Sequence, residues 1–107
     1  MLPYEVSPAE AAQILRQKSA RFIDVRESWE IAAARIEGSL PMPMGEVVTR
    51  AHKELDFDER LIVVCHHGGR SLNVTAWLRR QGFEKAQSLG GGIDAWSVEI
   101  DPTVARY

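Results

Sequence analysis

Residues Leu61 to Val64, "LIVV", put four apolar side chains in a row. A strand with one wet face alternates, so an unbroken run implies burial on both faces, as in the central strand of a parallel sheet. Parallel neighbours need crossover connections, and helical patterns do separate the apolar runs of this chain. Tyr4 to Val6, Arg21 to Val25, a short extended piece in "EGSLPMP" and Lys85 to Leu89 bring the strand count to five. Ser7, Pro8 and Glu10 form an N-cap, a first-turn proline and a capping-box glutamate, so a helix begins at Pro8 and buries Ala11, Ile14 and Leu15. "ESWEIAAARI", residues 27 to 36, has helical composition, with Trp29, Ala32, Ala33 and Ile36 on one face. Further helices are expected over Gly45 to Leu55, over Ser71 to Gln81 with Gly82 closing it in the left-handed conformation, and after "GGG" at Gly90 to Gly92. The expected architecture is α/β in a single domain over residues 1 to 107, with a core from about residue 4 to 98 and a short, loose tail at 99 to 107.

The central run delivers the only cysteine, Cys65, to the end of its strand, and "HHGGRS" follows. In open parallel sheets ligands sit beyond the carboxyl ends of the strands, where loops lead into helix N-termini. Gly68 and Gly69 permit the positive φ angles and close backbone approach of a tight cradle. Amides gathered in such a loop, with the free N–H groups of the next helix, surround the sulfur with positive potential and favour the nucleophilic thiolate. Ser71 is placed to cap that helix. Arg70 either holds an anionic ligand or pairs with an acidic neighbour such as Asp24 or Glu27. Taken by residue type alone, a cysteine ending an apolar strand is buried filler. Packing by itself has no use for Gly-Gly-Arg-Ser after it, so the loop reads as an anion cradle.

Four segments together resemble the rhodanese-like sulfurtransferase domains: "DVRE" at Asp24 to Glu27, "RIEGSLPMP" at Arg35 to Pro43, "VVCHHGGRS" at Val63 to Ser71 and "LGGGIDAW" at Leu89 to Trp96. The resemblance implies a mostly parallel five-stranded sheet flanked by helices on both faces, with a persulfide carried on Cys65. It further implies that His66, His67, Gly68, Gly69, Arg70 and Ser71 bind substrate, while Asp24 and Arg26 support the site structurally. Two positions depart from the family pattern, which often has His at the position of Arg35 and Pro at that of Glu37.

By this resemblance Cys65 takes sulfur from a small anionic donor such as thiosulfate, or from a protein persulfide. It passes that sulfur to cyanide, a thioredoxin-like thiol or a sulfur carrier protein, with no metal or organic cofactor. A cysteine phosphatase or arsenate reductase is the nearest rival. Those enzymes resemble Cys-x5-Arg, whereas four residues separate Cys65 from Arg70, and no second cysteine is present to resolve a mixed disulfide. A docking module that has lost its chemistry is the alternative from another class. His66 and His67 inform on specificity more than on fold. Contiguous ligands supply tetrahedral corners poorly, which argues against a metal held by Cys65, His66, His67 and His52.

Thirteen basic against fifteen acidic side chains leave a net charge of -2, so no global field invites nucleic acid. No apolar run approaches the roughly 20 residues that span a bilayer, and the opening "MLPYEVSPAE" lacks the pattern of a secretory signal. A lone cysteine forms no internal disulfide and fits a reducing compartment, so a cytoplasmic location without membrane attachment is expected. Trp29, Trp77 and Trp96 lie on helical patterns and are expected in the core. Gly90 to Gly92 is expected to pack closely beside the site loop.

Overall fold

The computed structural model describes residues Met1–Tyr107. In chain order its elements are β1 (Glu5–Val6), α1 (Pro8–Gln17), β2 (Arg21–Asp24), α2 (Ser28–Ala33), β3 (Leu40–Pro41), α3 (Met44–Glu54), β4 (Leu61–Val64), α4 (Gly69–Arg80), β5 (Ala86–Leu89) and α5 (Gly92–Glu99). The "LIVV" run is β4, buried throughout, at the centre of a sheet ordered β1-β5-β4-β2-β3. All strand pairs are parallel, so the sheet is more uniform than the mostly parallel one expected.

Strand geometry sends alternate side chains to opposite faces, and the core divides accordingly. Leu61, Val63 and Cys65 join Ile23, Val47, Ala51, Val74 and Leu78 beneath α3 and α4. Ile62 and Val64 join Phe22, Ala11, Ile14, Ile93 and Trp96 beneath α1 and α5. Cys65 therefore sits with hydrocarbon on one side and a loop on the other. The cap of α1 forms as expected, the Glu10 amide donating to Ser7 Oγ at 3.2 Å. Gly82 adopts a φ of 106° just past α4.

Three expectations fail. The second helix is six residues long, and its faces are reversed: Trp29 is 66% exposed, Ala32 and Ala33 lie outside, and Glu30 is buried. The space beneath α2 holds two arginines rather than hydrocarbon, so a carboxylate turns inward and the apolar face turns out. Of the tryptophans, Trp96 is buried and Trp77 packs partly against the core, leaving Trp29 as the exception. Nor is the segment after α5 loose. Ser97 Oγ donates to the Val104 carbonyl, Arg106 pairs with Asp94 at 2.9 Å, and Val104 and Tyr107 pack against the α1 and α5 side of the core.

Candidate functional site

Cys65 follows β4 directly and is 1% exposed. The Gly68 amide donates to its Sγ at 3.0 Å and the Ser71 amide at 3.3 Å, so the backbone turns around the sulfur as a cradle. Gly68 makes that turn possible with a φ of 107°, a conformation that costs other residues, and a Cβ there would crowd the Gly91 amide at 3.3 Å. Gly69 differs from expectation. Its φ is not positive, and it is the first residue of α4, which thus begins two positions before Ser71. Ser71 is consequently no cap but lies in the first turn, its hydroxyl 3.2 Å from the Gly68 carbonyl, 2.7 Å from Ser88 Oγ and 3.3 Å from Cys65 Sγ. Ser88, on β5, is a site residue that strand periodicity does not flag; two polar residues, Gln87 and Ser88, within a buried strand are the available signal.

The amides of His66, His67, Gly69 and Arg70 donate to no acceptor within the protein. The carbonyls on the other side of this loop are taken up, Cys65 O by the Ile93 amide at 2.8 Å and His66 O by the Asp94 amide at 3.1 Å. That contact explains the glycine run: a Cβ on Gly92 would lie 2.4 Å from His66 O. The first turn of α5 thus holds the carbonyl edge while the amide edge stays open.

Arg70 is anchored, but by neither expected partner. Its two terminal nitrogens donate to the two oxygens of Glu30, each at 2.8 Å, and this fork holds the Glu30 carboxyl well below the usual carboxylate range, at about 2. The same bonds raise the Arg70 pKa. Asp24 instead binds Arg26 through Nε at 2.9 Å and Nη2 at 2.7 Å. Arg26 is fully buried, and its remaining donors reach the carbonyls of Glu30 and Ala34 and the hydroxyl of Tyr107. Burial works against its charge, yet the bonds to Asp24 and Tyr107 outweigh it and raise its pKa. Glu30 and Tyr107 carry no motif, and each is recognisable only once the chain is folded.

The adjacent histidines do converge, stacking with centroids 3.9 Å apart. One nitrogen of each, with an Asp94 oxygen, falls within 4.8 Å, but stacked rings aim their lone pairs side by side rather than at one ion. Asp94 is moreover engaged by Arg106, which lowers its pKa. His52 lies elsewhere, against Phe57, Trp77 and Phe83. The departing pair Arg35 and Glu37 form an exposed contact at 3.7 Å, away from the sulfur. The largest concavities surround Arg21, Arg60 and Lys85 at the amino ends of the strands, and none borders Cys65.

A family model described as "Rhodanese-like domain" matches residues 7–99. The "Thiosulfate sulfurtransferase GlpE" of Actinobacillus pleuropneumoniae serotype 3 is 32% identical over 103 residues, covering 96% of this chain and 94% of its own. The GlpE of Pseudomonas fluorescens is 34% identical over 96 residues, covering 90% and 87%. The chloroplastic "Rhodanese-like/PpiC domain-containing protein 12" of Arabidopsis thaliana is 37% identical over 82% of this chain, which spans only 30% of that longer protein. Among solved structures, a rhodanese-related protein from Thermoplasma volcanium superposes with a TM-score of 0.81 at 28% identity, covering 92% of this chain and 94% of its own. The "Human Single Domain Sulfurtranferase TSTD1" gives 0.81 at 25% identity, covering 92% and 98%.

Proposed function

This chain belongs to the rhodanese-like domain family, and from that premise we propose that it is a sulfurtransferase in which Cys65 carries the transferred sulfur as a persulfide. The Cys65 thiolate attacks the outer sulfur of a donor such as thiosulfate. As the new S–S bond forms, the donor's S–S bond breaks and sulfite leaves with the electron pair. Cyanide or a thiol then attacks the outer sulfur and releases the Cys65 thiolate.

The observation that carries this reading is the direction of the backbone. Two amides already point at Sγ, and those of His66, His67, Gly69 and Arg70 are open beside it, a set of fixed dipoles suited to an anionic sulfur. Such dipoles need no reorientation when charge arrives, which is the advantage of a preorganised site. Arg70 contributes through the N–H groups that Glu30 does not occupy, since a guanidinium carries five. The four-residue spacing from Cys65 to Arg70 favours this chemistry over phosphate-ester or arsenate turnover. The lone thiol supports a reducing, cytoplasmic setting.

Intact-mass measurement tests the mechanism. Incubation with thiosulfate adds one sulfur atom to the wild type, cyanide removes it, and Cys65→Ser shows no addition. Equal loading of the serine variant would falsify the assignment of Cys65. A wild type that never gains sulfur from thiosulfate or a protein persulfide would point to a docking module.

A further inference from the structure

Beyond α5 the chain turns back and lays Tyr107 against the arginine and glutamate cluster. The Tyr107 hydroxyl accepts from Arg26 Nη1 at 2.9 Å and donates to Glu30 Oε2 at 2.7 Å. Its ring lies on that of His66, with centroids 4.0 Å apart and planes 10° from parallel, while Trp29 meets it edge-on at 5.9 Å. These contacts fall at opposite ends of the sulfur loop. His66 follows the nucleophile, and Arg70, held by Glu30, closes the loop.

The hydrogen bonds leave Glu30 little freedom. Oε1 accepts from Arg70 and from the Glu27 amide; Oε2 accepts from Arg70 and from Tyr107. A carboxylate offers about four acceptor positions, so all are filled and its plane is fixed. The plane on which the Arg70 fork rests is therefore set in part by the Tyr107 hydroxyl. His66 is held differently. Its Nε2 is buried without a hydrogen-bond partner, so ring stacking is what orients it.

We propose that Tyr107 is a positioning residue for sulfur transfer, clamping one end of the Cys65 to Arg70 loop with its ring and the other with its hydroxyl. Its purpose rests on the sulfurtransferase reading; its geometry does not. Tyr107→Phe keeps the ring and removes the hydroxyl, whereas Tyr107→Leu removes both.

Steady-state assays with thiosulfate and cyanide should separate the two effects. The phenylalanine variant raises the thiosulfate KM about fivefold, as expected for loosening one charge-assisted hydrogen bond, with kcat near wild type. The leucine variant adds a fall in kcat, which phenylalanine rescues. A second readout needs no turnover: the ratio of Cys65 alkylation rates by iodoacetate and by iodoacetamide reports how well the site receives an anion, and it falls about threefold in both variants. An unchanged KM and an unchanged ratio, with only the melting temperature lowered, would make Tyr107 purely structural and overturn the proposal. Should the wild type transfer no sulfur, the functional reading fails, while the alkylation ratio still decides the clamp. If the leucine variant does not fold, the phenylalanine variant still decides the hydroxyl end, and Tyr107→Met, which removes the ring but keeps an apolar side chain, takes the place of leucine for the ring end.

Discussion

Around Cys65 the groups hydrogen-bonded to the sulfur are two peptide amides and the Ser71 hydroxyl, none with a full charge, whereas at the far end of the loop and beneath α2 Asp24, Arg26, Glu30 and Arg70 form two full ion pairs. The first arrangement leaves donors unpaired and ready for a visiting anion. The second pairs each charge with its opposite and consumes every Arg26 donor internally, leaving only the Arg70 N–H groups that Glu30 does not occupy. Separate jobs account for the difference. A site that must accept and release negative charge does best with fixed partial dipoles, because a permanently bound counter-ion would already be neutralised. A scaffold that must hold a loop in one shape does better with saturated, directional ion pairs, whose geometry is costly to disturb. Substitutions in the cluster should thus act first on stability, and those at the sulfur first on chemistry.

The largest expected effect is in the cluster. Arg26→Met leaves Asp24 buried without its side-chain partner and strands the Ala34 carbonyl, while the Glu30 carbonyl keeps only the Ala34 amide, so unfolding in urea should show a loss of about 3–5 kcal/mol. A loss well under 1 kcal/mol would show that the cluster is not the rigid element the comparison requires.

Acid titration gives the next effect. Glu30 has its pKa lowered to about 2 from an ordinary 4.5, chiefly by the Arg70 bond, with Tyr107 and the Glu27 amide assisting and burial opposing. A carboxyl depressed in the folded state stabilises that state above its unfolded pKa, and the contribution disappears as pH falls through the folded value. About 3 kcal/mol present at neutral pH should therefore be lost between roughly pH 4.5 and 2. Glu30→Gln should be less stable at pH 7 and show a shallower acid limb in chemical unfolding. Identical slopes for the two proteins would mean that Glu30 is not the titrating group.

The smallest effect sharpens the contrast from the other side. Ser71→Ala removes the hydroxyl between Cys65 and Ser88 but leaves both amides on the sulfur. Stability should drop by about 1 kcal/mol, and time-resolved intact mass should show sulfur loading slowed less than about tenfold. Abolished loading would move the decisive contact from the backbone to that side chain.

The parts of the fold readable in sequence are those set within a few residues. Ser7 with Pro8 starts α1, "LIVV" makes the central strand, and Gly68 supplies the positive φ before α4. Periodicity misreads α2 because it assumes that whatever lies beneath a helix is apolar, and here Glu30 answers Arg70 from 40 residues away. The same limit hides Ser88, whose partner Ser71 lies 17 residues away, whereas Ser71 is mistaken for a cap for a local reason, α4 beginning two residues earlier at Gly69.

From sequence alone the identity and order of the chemical groups were already determined: one thiol at the end of a buried strand, a glycine turn, an arginine, and four motifs in register. Hydrogen bonds between near neighbours and strand alternation are properties of local covalent geometry, so they can be read without the fold. Only the tertiary structure decided which charge meets which. Tyr107 lies 77 positions from Glu30 and 81 from Arg26, and those pairings exist because parallel strands and the turn after α5 bring distant segments to one end of the sheet.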